Sequence, residues 1–337
     1  GYTASNGGKA ETSGEPDINN VLTVQDLTNS ITQSVSYQKQ WLDGDNQPIT
    51  EDYLGKDLTV HFLLQVREGS TGSWESASTF FHRELSSQFD QFFGADEDFT
   101  RSLTGRINDT SIWNRVQKFE NLPSFLKDEN DQTTELSYRV VEDQISWEGG
   151  SVDITVQENN DGSWSYTFGS SLFVPGQNSY TLPQNNGTFV ISNKLQTTSL
   201  TAQKIWSGDE DNAYGTRPNT GRDGYDWEVS LLVQYSTDGA AWMTLTTRET
   251  DGEHPVILHI HGENQDASGS VTLSGLPQFS LDGKAITYRI WELQPHETDV
   301  TWWYRTDLTV AQAEESIVET NETFHDAYTA SYENDLL

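Results

Sequence analysis

Lys39 and Lys204 each stand two residues before a tryptophan, in Lys39-Gln40-Trp41 and Lys204-Ile205-Trp206. Both runs are strand-like, and strand alternation puts Lys and Trp on one face. If that face is the core, desolvation disfavours the ammonium. A neutral lysine is a nucleophile. Glu142 and Glu292 follow Tyr138 and Tyr288 by four residues, so each glutamate shares a face with its tyrosine. A buried glutamate shifts toward its protonated form, can hydrogen-bond an amide carbonyl and can shuttle a proton. Asn193 and Asn334 each offer a carboxamide carbon. The plain alternative stays open for every one of them: a strand lysine that snorkels at the surface and a strand glutamate in water.

The elements that position these groups read as strands. Leu58–Val66 is a β-rich run that ends at Gly69, and Val152–Val156 alternates. An Asn160-Asp161-Gly162 turn leads into a second alternating run, Ser163–Phe168, which makes a hairpin. Trp227–Val233 and Ile286–Trp291 are further strands. Many short strands with frequent turn residues indicate β-sandwiches. Residues 78–121 are the exception, because Phe80, Phe81, Leu85, Phe89, Phe92 and Phe93 fall near helical spacing. That spacing predicts one or two helices inserted there. The acidic stretch 311–320 predicts another helical turn.

The chain repeats itself. Tyr37–Trp41 matches Ala202–Trp206, and an acidic turn follows each, Asp43–Asn46 and Gly208–Asn212. Phe62–Val66 with Trp74 matches Ser230–Gln234 with Trp242. Asn121-Leu122-Pro123 matches Gly275-Leu276-Pro277, and Leu136–Glu142 matches Ile286–Glu292. Ile191–Leu195 matches Tyr332–Leu336. The expected organisation is a linker or lead-in strand over 1–30, a first unit over 31–195 with its insertion at about 78–121, and a second unit over 196–337. The lead-in reading rests on Thr23–Asn29, which precedes Lys39 much as Phe189–Asn193 precedes Lys204.

These blocks resemble the Cna B-type repeat of Gram-positive adhesins and pilins. The residues that fit in order are Lys204, Trp206, Arg217-Pro218, Leu276-Pro277, Tyr288, Glu292 and Asn334, and, in the first unit, Lys39, Trp41, Leu122-Pro123, Tyr138, Glu142 and Asn193. The first unit lacks Arg-Pro and carries the aromatic insertion, which is a departure from the pattern. The resemblance implies an all-β fold of two tandem Ig-like sandwiches, the first with a partly helical insertion. It also implies a self-catalysed isopeptide bond in each unit, Lys39 to Asn193 and Lys204 to Asn334, with Glu142 and Glu292 as proton shuttles. Asn321 is an alternative to Asn334. The implied role is a structural stalk or pilin-like segment of a wall-anchored, extracellular adhesin. The competing reading is a ligand-binding tip, with the insertion facing a host extracellular protein or glycan. Neighbouring modules of the same surface protein are further expected partners.

Composition bounds the rest. The 337 residues carry a formal net charge of -33, which argues against nucleic acid and anionic membrane as partners. Cysteine is absent, which excludes disulfides, thiolate metal sites and cysteine nucleophiles. Only 34% of residues are apolar, but 11 Trp, 13 Tyr and 14 Phe provide for a core. No run of about 18 apolar residues suggests a membrane span, and no signal peptide opens the chain. An excerpt of a longer protein is therefore expected. No external substrate, cofactor or metal is expected. His254, His259 and His261 with Glu253 have some metal-ligand character, but read better as surface strand residues. The acidic turns Asp43–Asp45 and Asp209–Asp211 lack calcium-loop spacing. The aromatics of the insertion, with Trp113, Trp302 and Trp303, read mainly as core rather than as a ligand patch.

Overall fold

Alternation organises the first strand. In β1 (Thr32–Leu42), Val35, Tyr37, Lys39 and Trp41 are buried and the residues between them are not. The same period buries Leu58, Val60, Phe62, Leu64 and Val66 in β2 (Leu58–Glu68). In this computed structural model residues 3–4, 29–30, 32–86, 89–94, 97–127, 132–183, 187–208, 211–213, 215, 217–218, 226–249, 251–294, 296–298, 301–303, 308–319, 323–324 and 328–329 are described.

The chain continues through β3 (Glu75–Ser76), α1 (Ala77–Leu85), α2 (Phe89–Phe93), β4 (Thr100–Gly105), α3 (Thr110–Trp113), β5 (Gln117–Pro123) and β6 (Phe125–Lys127). Then come β7 (Thr133–Trp147), β8 (Gly150–Glu158), β9 (Trp164–Phe168), β10 (Phe173–Pro175) and β11 (Thr188–Leu195). One sheet runs β9-β8-β7-β2-β3, with β4 also on β2 and β6 on β7; the other runs β10-β11-β1-β5. A single apolar core lies between them. The expected hairpin is β8 with β9, Glu158 opposite Trp164. First and last strands lie side by side and parallel, with Ile191 opposite Lys39 and Asn193 opposite Trp41.

The insertion holds three short helices rather than one or two, and β4 runs through its middle. β4 is held because residues 100–105 pair along β2, from Leu63 to Leu58. Phe80, Phe81, Phe89 and Trp113 are buried in the same core as β2, and Phe93 is partly buried against it.

A single residue, Gln196, separates β11 from the second set of strands. It comprises β12 (Thr197–Ile205), β13 (Trp227–Ser236), β14 (Met243–Thr244), β15 (Thr246–Arg248), β16 (Glu253–Pro255), β17 (Ile257–Gly262), β18 (Ser268–Pro277) and β19 (Thr287–Glu292). β12 pairs with β18, and β13 with β14, β17 and β19, around a second core that contains Trp206, Trp227 and Leu276. The predicted helical turn is α4 (Val310–Glu315), closed by a Thr309/Gln312 capping box. The fold is all-β in its main elements, two Ig-like sandwiches in tandem. Among the described residues no helix is long and apolar enough to cross a membrane.

The repeat is visible side chain by side chain. Tyr138 Oη donates to Pro123 O at 2.7 Å, and Tyr288 Oη donates to Pro277 O at 2.7 Å. Arg139 Nε donates to Gln65 Oε1 at 2.8 Å, and Arg289 Nε to Gln234 Oε1 at 2.9 Å. This corrects one block match. Phe62 corresponds to Leu231 rather than to Ser230, because Phe62 pairs with Glu142 and Leu231 with Glu292.

The two sandwiches also touch. Arg248 Nε of β15 donates to the buried Asp52 Oδ2 at 3.1 Å, and its Nη2 donates to Asp57 Oδ1 at 2.5 Å. Tyr53 packs on the second core, while Phe279 and Leu281 pack on the first.

Candidate functional site

Lys39, Glu142 and Asn193 meet inside the first sandwich, each with no exposed surface. Lys39 comes from the first strand, Asn193 from the last, and Glu142 from β7 in the facing sheet. Lys39 Nζ lies 3.1 Å from Glu142 Oε1, an ion-pair distance without hydrogen-bond alignment, and donates to Gln40 O at 3.4 Å. Asn193 Nδ2 donates to Glu142 Oε2 at 2.7 Å. One carboxyl group therefore bridges the amine and the amide. Among the described residues Asn193 Oδ1 accepts no hydrogen bond.

Aromatic rings enclose the set. Lys39 Nζ sits 4.3 Å from the centre of the Trp41 ring. Trp41 in turn meets Trp113 of α3 edge-on at 5.9 Å. Tyr166 is buried beside Glu142, and Tyr180 Oη donates to Ser192 O at 2.8 Å, next to Asn193. Desolvation dominates the electrostatics. It pushes Lys39 down to about 8 despite the attraction of Glu142. It likewise raises Glu142 above the usual carboxylate range, against Lys39 and the Asn193 hydrogen bond. Both shifts favour a neutral amine beside a protonated acid.

The second sandwich repeats two of the three groups. Lys204 Nζ donates to Glu292 Oε2 at 2.8 Å and sits 4.3 Å from the Trp206 ring centre. Trp206 meets Trp227 edge-on at 5.7 Å. Arg217 spans the adjacent turn, with Nη1 donating to Asn264 O and Asp266 O. Lys204 keeps a little exposure where Lys39 has none. Asn334 and Asn321 lie outside the described residues.

The sequence does not place Trp113, Tyr166 or Tyr180 around this site, although Trp113 reads as core there. The alternation of Trp164 and Tyr166 in a hairpin strand was the available signal, but it does not say which buried acid the face covers. Of the weaker signals, Asp43 Oδ1 accepts from the Asp45 and Gln47 amides as an ordinary turn does, and Asp209 is outside the described residues. His259 Nδ1 lies 3.0 Å from Glu228 Oε1 and from Ser230 Oγ. His254 gathers with Glu249 and Asp251 rather than with His259 and His261, because its hairpin turns it toward the Asp251 loop. Trp302 and Trp303 lie in a short strand, Thr301–Trp303.

No family model matches the chain. The chain is 24% identical over 331 residues to a collagen adhesin of Staphylococcus aureus, a match that covers 89% of this chain. It spans 25% of that adhesin's length. Among solved structures, a single B repeat unit of the collagen binding surface protein of Staphylococcus aureus is 16% identical, covering 80% of this chain and 93% of that one, with a TM-score of 0.20. A shaft pilin from Lactobacillus rhamnosus GG is 14% identical, covering 77% and 87%, with a TM-score of 0.23. The resemblance to Cna B-type proteins, drawn from the residue blocks, is borne out by the adhesin match.

Proposed function

We propose that this chain is a stalk segment of a Gram-positive surface adhesin or pilin-like protein, and that each of its sandwiches is stapled by a Lys–Asn isopeptide bond. The two units take the boundaries 31–195 and 196–337. The observation that carries the reading is the bridge made by Glu142 between Lys39 and Asn193 in a site without water access.

The geometry suits one proton path. Neutral Lys39 attacks Asn193 Cγ, and the Nζ–Cγ bond forms. Glu142 Oε1 takes the proton from Nζ, while Oε2, already at Nδ2, returns one to the leaving nitrogen. The Cγ–Nδ2 bond breaks and ammonia departs. An unactivated amide is a poor electrophile, so positioning must contribute most of the acceleration. Effective molarity in such a fixed contact is worth about 7–11 kcal/mol. Glu292 takes the same role for Lys204 and Asn334. The chemistry is confined to the chain and turns over once.

The product links first strand to last. Load entering at β1 and leaving at β11 would pass through a covalent bond, so the sandwich need not open. That serves an extracellular stalk without cysteine, tethered at the cell wall through neighbouring modules. The tip reading is weakened by the burial of Phe80, Phe81, Phe89 and Trp113, which makes most of the insertion's aromatics core.

Intact mass tests the proposal. Two bonds lower the mass by two ammonia molecules, and a chain at its full sequence mass would overturn it.

A further inference from the structure

One part of the insertion is not core. A groove of about 270 Å³ runs between α2 and β5, with Phe92, Phe93 and Phe99 on one side. Phe92 is 60% exposed, the large apolar side chain least accounted for by packing in this sandwich. Phe99 holds a left-handed backbone, φ 57, which is uncommon for a bulky residue. Two hydrogen bonds keep it there: its amide donates to Glu97 Oε1 at 2.8 Å, and its carbonyl accepts from Leu64 N at 3.0 Å. The left-handed Asn121 nearby belongs to the repeated turn, since Gly275 shares that conformation; Phe99 belongs to the groove.

The opposite wall is a sheet edge. β5 pairs with β1 and, among the described residues, with no other strand. An open edge beside a groove with one aromatic wall and charged flanks is an arrangement suited to strand addition, where main-chain bonds give affinity and alternate side-chain pockets give specificity. Phe119 points inward, and its neighbours Lys118 and Glu120 are exposed. Neither charge makes an ion pair among the described residues, whereas Arg101 in the same groove is occupied by Glu97 at 3.0 and 3.2 Å. Edge charges of this kind discourage indiscriminate pairing. They also specify what pairs well: an acid opposite Lys118, a base opposite Glu120, and between them an apolar residue facing Phe92.

We propose that β5 and this groove form a strand-addition site for an extended segment of a partner protein with an apolar residue between an acidic and a basic one. The site goes beyond the stalk reading and does not depend on the crosslinks.

The test is selection of a displayed library of random peptides, about ten residues long, on the whole 337-residue chain. Enriched peptides are expected to carry the acid–apolar–base pattern and to protect β5 amides from hydrogen exchange. Phe92→Ser, at an exposed position, is expected to weaken them about tenfold, the loss typical of an interface anchor. Lys118→Glu should exchange the preferred acid for a base. Peptides indifferent to Phe92→Ser, flanks that ignore Lys118→Glu, or no enrichment would overturn the proposal. So would Phe92-dependent capture of glycans, or self-association, in place of peptides. Intact mass reads the crosslinks separately, so either idea can fail alone.

Discussion

Glu142 lies 3.1 Å from Lys39 through one carboxylate oxygen and 2.7 Å from the Asn193 amide through the other. A carboxyl group between an amine and an amide can move a proton from one to the other without leaving its place. Glu142→Gln keeps the shape and removes that path. The variant is expected to retain one more ammonia than the parent by intact mass. It should also lose the bond's contribution to stability, roughly 5 kcal/mol on the loop-entropy model. Full crosslinking in Glu142→Gln would remove Glu142 from the mechanism.

The same logic assigns the second bond to named atoms. Asn334→Ala should restore one ammonia to the mass, and Asn193→Ala a second. Asn321→Ala should change nothing beyond the substitution itself. If Asn321→Ala restores the ammonia instead, the second pair is Lys204–Asn321.

Crosslinking should depend on pH in a direction set by burial. Lys39, pushed down to about 8, loses its nucleophilic form below that pH, about tenfold per unit. Glu142, raised by burial, loses its proton as pH climbs. The rate should therefore rise from acid toward neutrality and fall again in alkali. Chain prepared by chemical ligation and held in denaturant starts without bonds, and dilution at a set pH starts the reaction. Mass followed over time gives the rate. A rate that keeps climbing above pH 10 would argue against an acid role for Glu142.

Much of this site was legible because period-2 alternation carries it. Lys39 with Trp41 and Tyr138 with Glu142 are same-face pairs that any strand would make. Which face is buried was not legible from one strand. It follows from the facing sheet, where Glu142 meets Lys39 across the core. The one-residue slip between Ser230 and Leu231 has a similar cause. Both runs are apolar, and the cross-strand pairs, Gln65–Arg139 and Gln234–Arg289 among them, fix the register. Trp113 was read as core but not as the partner of Trp41. The second sandwich takes the equivalent ring, Trp227, from the start of a strand rather than from an insertion.

Arg248 and Asp52 were invisible to local patterns, since they belong to different sandwiches. Burial raises Asp52 and Arg248 lowers it, with burial the stronger effect. A group raised in the fold stabilises it when protonated, and that contribution is lost as pH rises through the folded value. Removing Arg248 leaves the carboxylate buried without its counter-charge. Arg248→Ala is therefore expected to destabilise by about 2–3 kcal/mol at neutral pH, below the figure for fully buried pairs because Arg248 is partly exposed. The defect should shrink on acidification as Asp52 takes up a proton. Urea unfolding of Arg248→Ala at pH 7 and pH 4 checks the sign. A second change, Asp52→Asn, should recover part of the loss at pH 7.

Trp113 links the insertion to the chemistry. It is buried, it braces Trp41 edge-on, and Trp41 lies under the Lys39 amine. Trp113→Ala should cost about 3–5 kcal/mol by transfer and cavity effects. The bond would mask part of this, so the comparison belongs in an Asn193→Ala background, where no first-sandwich crosslink forms. With Asn193 intact, a loosened Trp41 should let water reach Lys39, restore its charge and slow bond formation. Trp227→Ala should likewise loosen Trp206 over Lys204 and slow the second bond. If Trp113→Ala lowers stability but leaves the crosslinking rate unchanged, Trp113 supports the sandwich alone, and the enclosure of Lys39 depends on the tyrosines and strands around it.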